Sequence, residues 1–127
     1  MTKSIFIGNE TKLFFLFMVI IALRFLRDNS IVHIDLKPEN LLMKIVGDGK
    51  QSVHYLIKLI DFGESYSPKI DMLSGRFLID SGNSSRGFTI PYAPPELLSK
   101  NKRFDEKTDV YSFGVIMFKL MFNHFPM

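Results

Sequence analysis

The sequence predicts an α+β domain, mainly helical, with one small β-hairpin. Two long apolar runs, at residues 12–28 and 108–122, have the length of helices. Between them, Leu41–Val46 and Val53–Ile60 read as strands flanking Gly47-Asp48-Gly49-Lys50, where Asp-Gly is a hairpin signal. A stretch rich in Gly, Ser and Asp, residues 61–91, shows little periodicity. Long stretches of this kind are functional or disordered more often than structural. The chain's 127 residues fit one small domain.

The elements follow in order. Residues 1–11 are ambiguous, with a strand or helix remnant around Ile5–Ile7. The helix over 12–28 contains the unbroken apolar run Leu13–Leu23, preceded by Lys3 and Lys12. That run could be read as a signal-peptide core, but Arg24, Arg27 and Asp28 follow it in place of a small-residue cleavage site. It is also shorter than the ~20 residues that cross a bilayer, so a buried helix is expected. Asp28-Asn29-Ser30 is turn chemistry and stops the helix. Ile31–Glu39 is irregular, because Pro38 forbids a regular element there. Pro94-Pro95-Glu96-Leu97-Leu98 reads as a short helix with proline in its first turn. Lys100–Lys107 is a polar loop. Thr108–Phe122 is a helix with almost no polar face, and such a helix is expected to be buried on all sides.

Composition excludes several functions. The apolar fraction of 46% is enough for a core. A net charge of +3, with lysines and arginines scattered among acids, leaves no electrostatic footprint for nucleic acid. Without cysteine there is neither a disulfide framework nor a thiolate metal site. His33, His54 and His124 lack metal-ligand spacing.

Four segments carry chemistry. They are His33-Ile34-Asp35-Leu36-Lys37-Pro38-Glu39-Asn40, then Asp61-Phe62-Gly63 after the second strand, then Tyr92-Ala93-Pro94-Pro95-Glu96, then Asp109-Val110-Tyr111-Ser112-Phe113-Gly114-Val115. In this order they resemble the catalytic loop, magnesium motif, activation-segment end and central helix of eukaryotic-type protein kinases. Lys-Pro-Glu-Asn after Leu36 is similar to the serine/threonine branch. The resemblance covers roughly residues 12–127. It implies a partial protein kinase domain over 1–127: catalytic loop 33–40, magnesium motif 61–63, activation segment 61–96 and central helix about 108–122.

The resemblance implies roles. Asp35 would orient the substrate hydroxyl and take its proton. Lys37 would neutralise the transferring phosphoryl group. Asn40 and Asp61 would hold Mg2+, which prefers hard oxygen ligands shared with phosphate, and Gly63 would free the backbone to re-aim Asp61. Thr89 would brace Asp35 and Lys37. Asp109 would hold the catalytic-loop backbone. His33 and Phe62 would belong to a hydrophobic spine, and Leu42, Ile116 and Leu120 to its adenine-side counterpart, with Leu42 on the ATP base. The cofactors implied are ATP and Mg2+ and the partner a protein substrate; the sequence does not name the compartment, for which an intracellular, cytoplasmic setting is expected.

The chain also departs from the pattern. Ile34 stands where the family has an arginine that pairs with an activation-loop phosphate, and isoleucine cannot do so. Phosphorylation at Ser81, Ser84 or Ser85 is therefore not expected to switch the protein in the usual manner. Pro94 replaces the commoner alanine, Tyr111 the commoner tryptophan, and Gly47–Tyr55 lengthens the hairpin. No glycine-rich phosphate loop or strand lysine precedes His33, and the arginine that would pair with Glu96 is not found. On this basis the small N-terminal lobe is expected to be absent and the chain alone to bind ATP poorly. Apolar surface on Leu13–Leu23 and Val110–Phe122 is expected to be exposed, open to a protein partner. Two alternatives to a kinase are a non-catalytic docking module derived from the same fold and a small membrane-associated protein using residues 13–23.

Overall fold

The computed structural model describes residues 8–47, 54–67, 89–99 and 105–126. Helix α1 runs Asn9–Asp28, strands β1 and β2 are Leu41–Val46 and His54–Leu59, α2 is the single turn Pro95–Leu98, and α3 runs Glu106–Phe122. Short 3-10 turns at Pro38–Asn40 and Ile90–Tyr92 precede β1 and α2. The expectations for Ile5–Ile7, for the hairpin tip 48–50, for Val53 and for Ser81, Ser84 and Ser85 lie outside the described residues.

Helix α1 starts three residues before the apolar run predicts, because Lys12 N–H already donates to Gly8 O. It ends on a Schellman arrangement. Ser30 takes a left-handed φ of 57°, Ser30 N–H donates to Arg27 O, and Ile31 N–H donates to Leu26 O. The Asn29 side chain also donates to Phe25 O at 2.8 Å. One stripe of α1 is buried, through Leu16, Val19 and Leu26, while Leu13, Phe14, Phe17, Ile20, Ile21 and Phe25 are exposed. No described helix is long and apolar enough to cross a membrane.

The strands pair antiparallel from Leu41 opposite Leu59 to Val46 opposite His54. Ile60 N–H continues the ladder by donating to Asn40 O at 2.9 Å. Leu41 faces the core, whereas Leu42, on the opposite face of the strand, is half exposed.

Helix α3 begins at Glu106 on a capping box. Asp105 accepts from Lys107 N–H at 2.7 Å, and Thr108 Oγ1 accepts from Asp105 N–H at 3.3 Å. Asn123, at φ 59°, closes its other end. Burial on all sides is not observed among the described elements. Thr108, Asp109, Ser112, Val115 and Ile116 form one buried stripe, while Val110, Tyr111, Met117, Met121 and Phe122 are exposed. The neighbours that reach α3 here, chiefly α1 and the turn at Ile90–Tyr92, cover that stripe only.

Two apolar clusters draw in residues of the segment joining α1 to β1. Leu36, Val19, Leu41, Tyr92, Val115 and Ile116 form the larger one. Val32, Ile34, Ala93 and Leu97 form the smaller, with Tyr66 packed on it. Val32 and Tyr66 exchange both backbone hydrogen bonds at 2.8 Å. The residues at 32, 34 and 36 are thus the apolar anchors of residues 31–37. Each such buried side chain contributes about 1.5–3 kcal/mol by leaving water.

Candidate active site

The geometry at His33–Asn40 begins with backbone strain. Ile34 is a buried β-branched residue at φ 75°, in the left-handed region that such side chains rarely enter. Asp109 on α3 holds it there. Its two carboxylate oxygens accept from His33 N–H at 2.8 Å and from Ile34 N–H at 3.0 Å. Burial pushes the Asp109 carboxyl above the usual carboxylate range, while the two N–H bonds and His33 pull it the other way without cancelling the effect. The His33 ring donates from Nε2 to Ile60 O at 2.9 Å and meets Phe62 edge-on at 4.9 Å. Its Nδ1 is buried and has no partner among the described residues.

These contacts present a set of polar groups at residues 35–40. Asp35 is buried, and its carboxylate is surrounded by four donors. Thr89 N–H and Thr89 Oγ1 each lie 3.3 Å from Oδ1. Lys37 Nζ lies 3.3 Å from Oδ2, and Asn40 Nδ2 lies 3.4 Å from it. Lys37 Nζ also donates to Thr89 Oγ1 at 2.7 Å, which leaves the threonine hydroxyl proton to point at Asp35. Asn40 Nδ2 makes its shorter bond, 2.8 Å, to Asp35 O. Among the described residues both side-chain bonds of Asn40 leave from the amide nitrogen, and Oδ1 has no partner there.

Asp61 is exposed and itself adopts the left-handed φ of 60°. The left-handed backbone belongs to Asp61, and Gly63 leaves room beside it, since a Cβ there would stand 3.2 Å from Asp61 Oδ1. Gly63 N–H donates to that oxygen at 3.3 Å. Asp61 follows Ile60, the residue bonded through its backbone to Asn40, so the two oxygen-bearing segments are joined at that point.

Of the residues singled out in the sequence, Asp35, Lys37, Asn40 and Thr89 come together, with Asp109 and His33 beneath them. Leu41 and Met43, on the strand's other face from Leu42, line a cavity with Ile116 and Leu120, because side chains alternate along a strand. Sequence reasoning missed Ser112, whose buried hydroxyl donates to Tyr92 O at 2.8 Å. It also missed Lys119, whose ammonium donates to Tyr92 Oη at 3.2 Å. Asp105, followed three residues later by Thr108, was a readable sign of the capping box.

The Asp109 clamp, the Thr89 brace and the order of the four motifs agree with a comparison over the whole length. A profile described as the protein kinase domain matches residues 1–127. This chain belongs to the protein kinase domain family. It is 32% identical to an Aurora kinase of Dictyostelium discoideum over 108 residues, which are 83% of this chain and 22% of that protein. It is 32% identical over 121 residues to serine/threonine-protein kinase dkf-1 of Caenorhabditis elegans, covering 94% of this chain and 15% of the relative. It is 31% identical over 120 residues to serine/threonine-protein kinase chk-1 of the same organism, covering 89% and 20%. The kinase segment therefore spans about a fifth or less of these relatives. Among solved structures, the yeast RNA Pol II CTD kinase CTDK-1 complex matches with a TM-score of 0.69 at 22% identity, over 98% of this chain and 35% of that one. That match establishes the kinase-like α+β fold. The family as a whole uses ATP with Mg2+.

Proposed function

We propose that the protein transfers the γ-phosphate of ATP to serine or threonine hydroxyls of protein substrates. The observation that carries this reading is the Asp35 carboxylate with Lys37 and Thr89 fixed around it. All four donors to that carboxylate lie at 3.3–3.4 Å, long for charge-assisted bonds, so an incoming hydroxyl can displace one of them. Asp35 then orients the hydroxyl and accepts its proton as the oxygen attacks the γ-phosphorus and the bond from that phosphorus to the bridging oxygen breaks, with ADP as the leaving group. Lys37, half-buried and tethered to Thr89, supplies fixed positive charge where negative charge gathers on the transferring group. Transfer of this kind needs positioning and charge more than covalent chemistry.

Asn40 Oδ1 and the Asp61 carboxylate are hard oxygen donors and fit Mg2+, which takes its other ligands from phosphate and water. Among the described residues no three His, Cys, Asp or Glu side chains gather at one point. When bound, the ion would neutralise phosphate charge. Leu42, exposed on the free face of β1, is the apolar surface offered to the adenine.

A γ-labelled ATP transfer assay on the protein at its full natural length tests the proposal. Asp35→Asn keeps the shape but removes the base, and the rate should fall about 10²- to 10⁴-fold. An equal rate in the variant would refute the assignment. A second reading, a docking module without catalysis, is favoured by the exposed Phe17, Phe25, Met121 and Phe122. It predicts no transfer by the native protein in the same assay.

A further inference from the structure

We propose that Lys119 and Lys12 form a recognition site for an acidic side chain of the substrate, directing phosphotransfer to sequences with aspartate or glutamate near the acceptor hydroxyl. The inference rests on the kinase reading above. Lys119 stands on the last turn of α3, partly buried. Its ammonium donates to Tyr92 Oη at 3.2 Å and stands 4.4 Å from the centre of the Phe125 ring. A phenol and an aromatic face orient the ammonium without neutralising it. Among the described residues the ion pairs involve Arg24, Arg27 and Lys37, and neither Lys119 nor Lys12 has a carboxylate partner.

Both lysines line one cavity of about 430 Å³, to which no Asp or Glu contributes. Phe15, Leu41 and Ile116 make much of the rest of its wall. Two like charges beside an apolar wall favour a guest that brings the opposite charge, and low surrounding polarity strengthens the pairing. Position links the cavity to the chemistry. Pro38, directly after Lys37, is part of its wall. Tyr92, which holds Lys119, lies three residues beyond Thr89, the residue bonded to both Asp35 and Lys37. The segments that present Asp35 to a hydroxyl thus continue directly into those that border the cavity and hold Lys119. Glu39, exposed beside Pro38, makes no ion pair among the described residues.

The test is a positional peptide library phosphorylated by the protein at its full natural length, native and as Lys119→Glu and Lys119→Met. The native protein should favour Asp or Glu over Lys or Arg at one fixed position by about fivefold in kcat/KM, the scale of a part-exposed ion pair. Lys119→Glu should reverse that ratio, and Lys119→Met should bring it near one. The ratio within each variant is independent of how much active protein it yields. If neither variant is active, the native profile and its weakening with added salt decide. A native protein that phosphorylates the library without acidic preference overturns this inference and leaves the kinase reading intact. Variants that keep the native ratio overturn it as well. A native protein that phosphorylates nothing overturns the kinase reading and this inference with it.

Discussion

Replacing Asp109 by asparagine separates the clamp's hydrogen bonds from its charge. Each carboxylate oxygen serves one amide, Oδ2 accepting from His33 N–H at 2.8 Å and Oδ1 from Ile34 N–H at 3.0 Å. Asparagine has one acceptor oxygen, and its NH2 would face the other amide donor. One charge-assisted bond is lost, worth about 1.5–3 kcal/mol. Relief from burying a charge offsets part of this, because burial already disfavours the ionised carboxyl. The expected net cost at neutral pH is about 1–2 kcal/mol, from the difference of these terms. Asp109→Ala leaves both buried amides unpaired and should cost more, about 2–6 kcal/mol at 1–3 kcal/mol per orphaned donor.

The pH dependence has a definite sign. With its pKa raised, folded Asp109 holds its proton more tightly than the unfolded chain does. Its contribution to stability is therefore full below the ordinary carboxylate range and declines as pH rises from there through the raised value. Asparagine shows no such decline, so the native protein's advantage over Asp109→Asn should narrow with rising pH. Urea unfolding followed by circular dichroism, repeated from acid to neutral pH, measures both effects. An asparagine variant as stable as the native protein, or an advantage that widens with pH, would refute the reasoning.

Two further outcomes are expected. Thr89→Ala removes the group between Lys37 and Asp35 and should lower kcat about tenfold or more, as a roughly 1 Å misplacement can, whereas Thr89→Ser, which keeps the hydroxyl, should retain most activity in the same transfer assay. Replacing Ser81, Ser84 and Ser85 together by alanine should change activity little, because Ile34 is buried among Val32, Ala93 and Leu97 and offers a phosphate no charge; a large loss would show that another residue reads those positions.

What the sequence made legible follows from range. The helices and the paired strands rest on periodicity and turn residues, and the structure reproduces them within a few residues, whereas the Asp35-to-Asn40 segment is read from its resemblance to a kinase catalytic loop. That Leu41 and Met43 line a cavity with Ile116 and Leu120 was not readable, because the sequence alone does not say which face of a strand meets a helix. Ser112 and Lys119 looked like mere interruptions of an apolar helix. Their partners, Tyr92 O and Tyr92 Oη, are 20 and 27 residues away, and nothing local announces a contact of that range. The left-handed conformations of Ile34 and Asp61 were equally hidden, since neither residue type asks for positive φ as glycine does.

That hidden strain explains why a buried acid persists in the core of α3. A strained residue stays in place only when its surroundings over-determine it. Ile34 and Leu36, which flank Asp35 in sequence, are drawn into different apolar clusters, and the Asp35 carboxylate is left to Thr89 and Lys37. Asp109 fixes two amides of this segment, one of them belonging to the strained residue itself. An apolar residue at position 109 would avoid the cost of burying a charge but would strand both amides. The acid is better understood as the counterpart of the loop's backbone than as a contributor to helix stability. Stability and site geometry therefore draw on the same contacts, and a change that relaxes Ile34 toward ordinary φ should lower phosphotransfer even where it does not unfold the protein.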